Sequence, residues 1–135
     1  MPESKQGKIL AALRERLTDG QYDVYLGKVI DPQQDVLPAV TIFHGKDGDT
    51  VVKHRPRLTQ EMSIVVECWI VAGDDPTLDC YEFAQPLREA IAPKDSTDSP
   101  DYLDGLAHKV EYQQTLCVTR DRQHATVQLR LSIQY

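Results

Sequence analysis

The last eleven residues of the chain alternate without a break. Ala125, Val127, Leu129, Leu131, Ile133 and Tyr135 are apolar or aromatic, and Thr126, Gln128, Arg130, Ser132 and Gln134 lie between them. A period of two sends successive side chains to opposite faces of a strand, so the run needs one face on a core and the other in water. A single strand cannot bury that face by itself, which commits the chain to a sheet with something packed against it. Met62 to Ala72 supplies a second long strand. Met62, Ile64, Val66, Cys68, Ile70 and Ala72 share one face, and Ser63, Val65, Glu67, Trp69 and Val71 share the other. That second face is only half polar, so the strand is expected to be central and covered on both sides for part of its length.

Two segments carry helical spacing. Ile9, Leu13 and Leu17 recur at i, i+4 and i+8, widened by Leu10 and Ala12, which predicts a helix from Ser4 to Thr18 with Gly20 as its C-terminal cap. Asp74-Asp75-Pro76 is a helix start, an acidic cap followed by proline at the first helical position. Cys80, Phe83, Ala84, Leu87 and Ile91 then predict a helix over Pro76–Ala92, with Pro86 inside it removing one hydrogen bond and bending it. Tyr22–Ile30 reads as a strand with Val24, Leu26, Lys28 and Ile30 on one face, and Leu37–Phe43 as another with Pro38 at its start or on an edge. Gly45 to Asp49 reads as a turn. Thr50–Arg57 is the far part of a long hairpin, Pro93–Gly105 the longest loop, and Ala107–Val118 a strand with Val110, Tyr112, Leu116 and Val118 facing one way and Cys117 the other. The expectation is a single α+β domain over residues 1–135, a largely antiparallel sheet with a long hairpin and two helices packed on one face.

Charge narrows the function. Fifteen Lys and Arg stand against 21 Asp and Glu, a net charge of −6, whereas affinity for nucleic acid comes from counterion release by basic side chains. No apolar run approaches the ~18 residues of a membrane span, and the polar N-terminus argues against a signal peptide. Cys68, Cys80 and Cys117 are far apart and odd in number, which favours reduced thiols over a disulfide framework. His44, His54, His108 and His124 fall in no metal-ligand spacing. No phosphate-binding glycine loop or nucleophile elbow is present, so no catalytic, cofactor-binding or metal residue is assigned. Two basic clusters remain: Lys53, His54, Arg55 and Arg57 at the hairpin tip, and Arg120 and Arg122 at the last turn. They are the candidate partner-interface residues, either solubilising the tips or docking on an acidic neighbour.

The segments together resemble a known family. An amphipathic N-terminal helix precedes the Leu37-Pro38-Ala39-Val40-Thr41-Ile42 segment with Gly45 after it. The long strand Met62–Ala72 then runs into Asp-Asp-Pro and a helix, and Leu-Arg-Leu-Ser-Ile-Gln-Tyr closes the chain at Tyr135. Over essentially the whole chain this is similar to the tail terminator (tail completion, minor tail) proteins of long-tailed bacteriophages. The resemblance implies a structural virion protein without an active site. It would assemble in the host cytoplasm as a ring, a hexamer, on the head-proximal end of the tail tube, stop tube growth and offer a surface to the head's connector. Its implied partners are its own copies, the tail tube protein and the head-side connector, with DNA only as passing cargo and no membrane. A head-side neck protein is the alternative within that setting, and a small cytoplasmic enzyme or ligand-binding domain the alternative outside it. In this setting the basic tip is expected to be mobile in the free subunit and to order against a neighbour, with Asp95 to Asp104 of an adjacent subunit as one acidic partner.

Overall fold

The computed structural model describes residues 4–18, 23–54, 57–91, 103, 106, 107 and 109–135, with the backbone alone at 46–54 and 57–59. The first helix, α1 (Lys5–Leu17), starts where Ser4 stops being helical and its hydroxyl accepts the Gly7 N–H at 3.0 Å. It ends at Thr18, whose N–H and hydroxyl both donate to the Arg14 carbonyl. The expected Gly20 cap lies outside the described residues. Ile9, Leu13 and Leu17 are buried, as their spacing requires.

β1 (Asp23–Leu26) is shorter than the strand expected to reach Ile30. Gly27 takes a positive φ of 76°, a region open to glycine, and turns the chain out of the sheet. The following loop is held by its aspartates. Asp35 accepts the Asp31 N–H and pairs with Lys28 at 2.8 Å, and Asp31 accepts the Gln33 N–H. Ile30 is buried from this loop, whereas Leu26 and Lys28 are exposed. A cis Leu37–Pro38 peptide leads into β2 (Ala39–His54), so Pro38 sits just before the strand.

β2 is one strand of 16 residues, not two strands separated by a turn. The segment Gly45 to Asp49, expected to reverse the chain, is absorbed as an irregularity between the His44↔Ile64 and Asp49↔Met62 pairs. β3 (Arg57–Val71) is a continuous template alongside it, so pairing resumes beyond the bulge and the chain reverses at the far tip. At the bulge the two backbones are close. A Cβ on Gly45 would collide with the Ser63 side chain.

α2 (Pro76–Ile91) begins as expected: Asp75 accepts the Leu78 N–H at 3.2 Å and its carbonyl accepts from Asp79. It runs through Pro86, which faces outward, and buries Cys80, Ala84, Leu87 and Ile91. β4 (Lys109–Thr119) and β5 (His124–Gln134) complete a five-stranded sheet in the order β1-β2-β3-β5-β4, antiparallel except for the β1–β2 pair. Both helices join the same apolar cluster as Met62, Ile64, Val66 and Cys68 of β3 and the alternate residues of β5, so they lie on one face. The architecture is α+β.

Three expectations about sheet faces need correction. β4 bulges between Tyr112 and Gln114, which reverses the alternation beyond it. Thr115 and Cys117 therefore follow Val110 and Tyr112 toward the helices, while Leu116 is 38% exposed on the other face. The polar face of β5 is not fully wet, because Thr126 and Ser132 are buried between the flanking strands. β3 is central, as expected, but among the described residues no helix covers its second face. Ser63, Val65, Glu67 and Trp69 are half-buried there beside their cross-strand neighbours.

Candidate functional site

Among the described residues, the β2–β3 hairpin extends beyond the other strands. β5 follows β3 as far as the Glu61↔Gln134 pair, and Tyr135 exchanges two backbone hydrogen bonds with Gln60 at 3.0 and 3.1 Å. Beyond that point the pairs Val52↔Thr59, Lys53↔Leu58 and His54↔Arg57 form a two-stranded ribbon. A ribbon of two strands is marginal by itself in water, which is a physical reason for it to seek a partner. Lys53, His54 and Arg57 occupy its last register positions, and Arg55 and Pro56 lie outside the described residues. The aspartates of the acidic stretch, Asp95, Asp98, Asp101 and Asp104, also lie outside them.

The second basic cluster is at the opposite end. The turn after β4 is organised by Asp121, which accepts the Gln123 N–H at 2.8 Å and the His124 N–H at 2.9 Å, with the His124 Nδ1 2.9 Å away. These contacts, the His124 ring first, hold the Asp121 carboxyl below its ordinary range. Arg120 folds back onto the open sheet face. Its Nε–H donates to the Thr126 hydroxyl at 3.0 Å and its guanidinium lies 5.6 Å from the Trp69 ring centre. Arg122 is exposed. Val71 pairs with His124 beside this turn, whereas Arg57 is at the other end of the same strand. At about 3.3 Å per residue the two basic clusters are roughly 45 Å apart, so they do not form one patch.

The open face between them is tied together by polar side chains. Glu67 accepts the Trp69 indole N–H at 2.8 Å with one oxygen and the Gln128 amide at 3.0 Å with the other. These two bonds orient the Trp69 ring under Arg120.

Sequence reasoning did not find the groove beside the Arg120 turn, a hollow of about 630 Å³. It is lined by Leu37 and Pro38 ahead of β2, by Ile70 and Val71 at the end of β3, and by Asp79, Glu82 and Phe83 of α2. Asp79 accepts the Gly73 N–H at 2.8 Å and so fixes the corner between β3 and α2. Val71, which lines the hollow, is 64% exposed. The only signal in the sequence was acidic residues interleaved with Val71, Leu78 and Phe83, which the helix pattern absorbed.

The three cysteines, separated in sequence, are gathered in space. Cys68 and Cys117 both pair with Val127 from its two sides, and Cys80 of α2 lies over them with its Sγ 3.7 Å from the Thr126 carbonyl. Burial pushes the Cys80 thiol up to about 11, with Cys117 as a hydrogen-bonding neighbour, and raises Cys68 further. Protonated thiols are poor nucleophiles and poor ligands. The His124 ring, one turn beyond Cys117, is engaged by Asp121. His108 lies outside the described residues. No group of three or more His, Cys, Asp or Glu suited to a metal ion occurs among the described residues. Among them, too, no helix is long and apolar enough to cross a membrane.

No family model and no curated protein matches this chain. Solved structures do. One chain of the virion of a native gene transfer agent particle superposes with a TM-score of 0.63, covering 98% of each chain at 11% identity. The two chains share one fold. The match includes helices and sheet alike, since almost nothing of either chain is left over.

Proposed function

We propose that the protein is a structural, non-enzymatic virion protein, and more narrowly a tail terminator. It forms a homo-oligomeric ring, a hexamer, on the head-proximal end of a phage tail tube, stops tube growth and provides the docking surface for the head. The observation that carries this reading is the end-to-end fold likeness to a virion chain, added to the family resemblance of the sequence. The overhanging ribbon and the buried thiols agree with a protein that acts by contact. A subunit with two different ends associates head to tail and closes into a ring when the rotation per subunit allows it. Its partners on this reading are its own copies, the tube protein and the head's connector, with DNA passing through the lumen, and its location is the virion. A head-side neck protein is the second reading, favoured by the same likeness to a virion chain.

The test is light scattering and electron microscopy of the purified protein with and without its tail tube protein. A ring of fixed mass that caps tubes and holds their length is the expected result. A protein that stays single at all concentrations and leaves tube growth unchanged would remove the terminator reading. A ring that binds the head connector and ignores the tube would transfer it to the neck.

A further inference from the structure

We infer that the groove between Pro38, Val71 and Phe83 receives the β2–β3 ribbon of a second copy of this chain. This deepens the ring reading above and rests on it.

β3 joins the two parts. Its first residues, Arg57–Thr59, belong to the ribbon, and its last, Ile70 and Val71, line the groove. A single strand of 15 residues keeps them roughly 45 Å apart. A ribbon therefore cannot reach the groove of its own chain, and any contact between the two is made with another molecule. Where each copy gives its ribbon to one neighbour and its groove to another, the contact is heterologous, the kind that builds rings.

The chemistry of the two parts is complementary. The ribbon sequence Val51-Val52-Lys53-His54-Arg55-Pro56-Arg57-Leu58 mixes apolar and basic residues on a chain of net charge −6. The groove mixes apolar side chains with carboxylates. Asp79 is partly committed to the Gly73 amide, while Glu82, exposed on the second turn of α2, is available to a cation. Asp74 and Asp75, both exposed, stand between Val71 and α2 in the chain. Asp75 satisfies an amide at the helix start, so the positive end of α2 is already offset. The exposed face of Val71 at the groove would be buried by the same contact. Opposite charges here select register and partner, and apolar burial supplies affinity.

Mixing two singly substituted chains tests this in trans. Arg55→Cys protein mixed with Glu82→Cys protein under mild oxidation is expected to give a disulfide-linked pair of chains on a non-reducing gel, and neither alone should match its yield. In light scattering, Glu82→Arg is expected to weaken self-association more than about tenfold, as is Arg55→Glu with Arg57→Glu, and the combined chain should recover most of the loss. Unchanged melting of each variant by circular dichroism keeps folding out of the comparison. Wild-type rings with no cross-link, and with Glu82→Arg rings undiminished, would overturn the ribbon-in-groove contact and leave the ring reading standing. A wild-type chain that never associates would remove both. Loss of tube binding by Glu82→Arg with self-association intact would assign the groove to the tube protein instead.

Discussion

The two faces of the sheet are built from the same strands and held by different physics. On the helix-covered face, Ile64 and Val66 of β3 and Leu129, Leu131 and Ile133 of β5 are fully buried under α1 and α2. Burial of such side chains contributes about 1.5–3 kcal/mol each. On the open face the corresponding positions are Val65, Glu67 and Trp69 against Gln128 and Arg130, with no helix over them among the described residues. There the order comes from directed contacts: Glu67 to Trp69 and Gln128, and Arg120 to Thr126 and Trp69. Non-directional burial decides which way the sheet faces, and polar contacts decide the shape of what is left exposed.

Single truncations can break that contrast. Leu131→Ala should cost about 2–5 kcal/mol, because both the buried methyl groups and the surrounding packing are lost. Val65→Ala, on the same rung-to-rung ladder but on the open face, should cost about 1 kcal/mol. Urea denaturation of the two variants measures both, and equal losses would mean that the open face is covered as well as the other. Glu67→Ala should follow at about 1 kcal/mol, since its two neutral donors can turn to water. A much larger loss would show the Glu67 network to be a structural centre rather than a surface arrangement.

The smallest effect concerns pH. Asp121 has its carboxyl held low in the folded protein, first by the His124 ring and then by the Gln123 amide. A depressed carboxyl contributes stability that is present above its unfolded value of ~3.9 and lost as pH falls through the folded one. Asp35, held low by Lys28 and the Asp31 amide, adds in the same direction. Asp121→Asn should therefore flatten the acid side of the stability profile below about pH 4 and leave the covered face intact. The Asp121 carboxylate is exposed and screened, so the change should be small beside that of Leu131→Ala. Melting temperatures between pH 2 and 6 read it directly, and an unchanged acid limb would separate Asp121 from turn stability.

The candidate surfaces were legible only in part. The ribbon was visible because Lys53, His54, Arg55 and Arg57 crowd into five residues between two strand-like runs. That the ribbon outreaches β5, that the Arg120 turn lies at the other end of β3, and that a groove opens beside that turn depend on register. Leu37, Ile70 and Phe83 give no sign in the sequence that they meet.

The sequence by itself determined each element whose signal is local. Ser4, Asp75 and Pro76 mark helix starts through their own side chains, and the alternation from Ala125 to Tyr135 states which residues must be inside. Only the tertiary structure decided matters that depend on a distant partner. Gly45 to Asp49 has turn composition, yet it stays in β2 because the unbroken β3 offers pairing on both sides of the bulge. Leu116 and Cys117 exchange faces because one residue is inserted after Tyr112 against β5, a shift that no period within β4 can announce. Cys68, Cys80 and Cys117 meet because Val127 and α2 bring them together. Propensity and period act over a few residues, whereas register is set by the strand alongside.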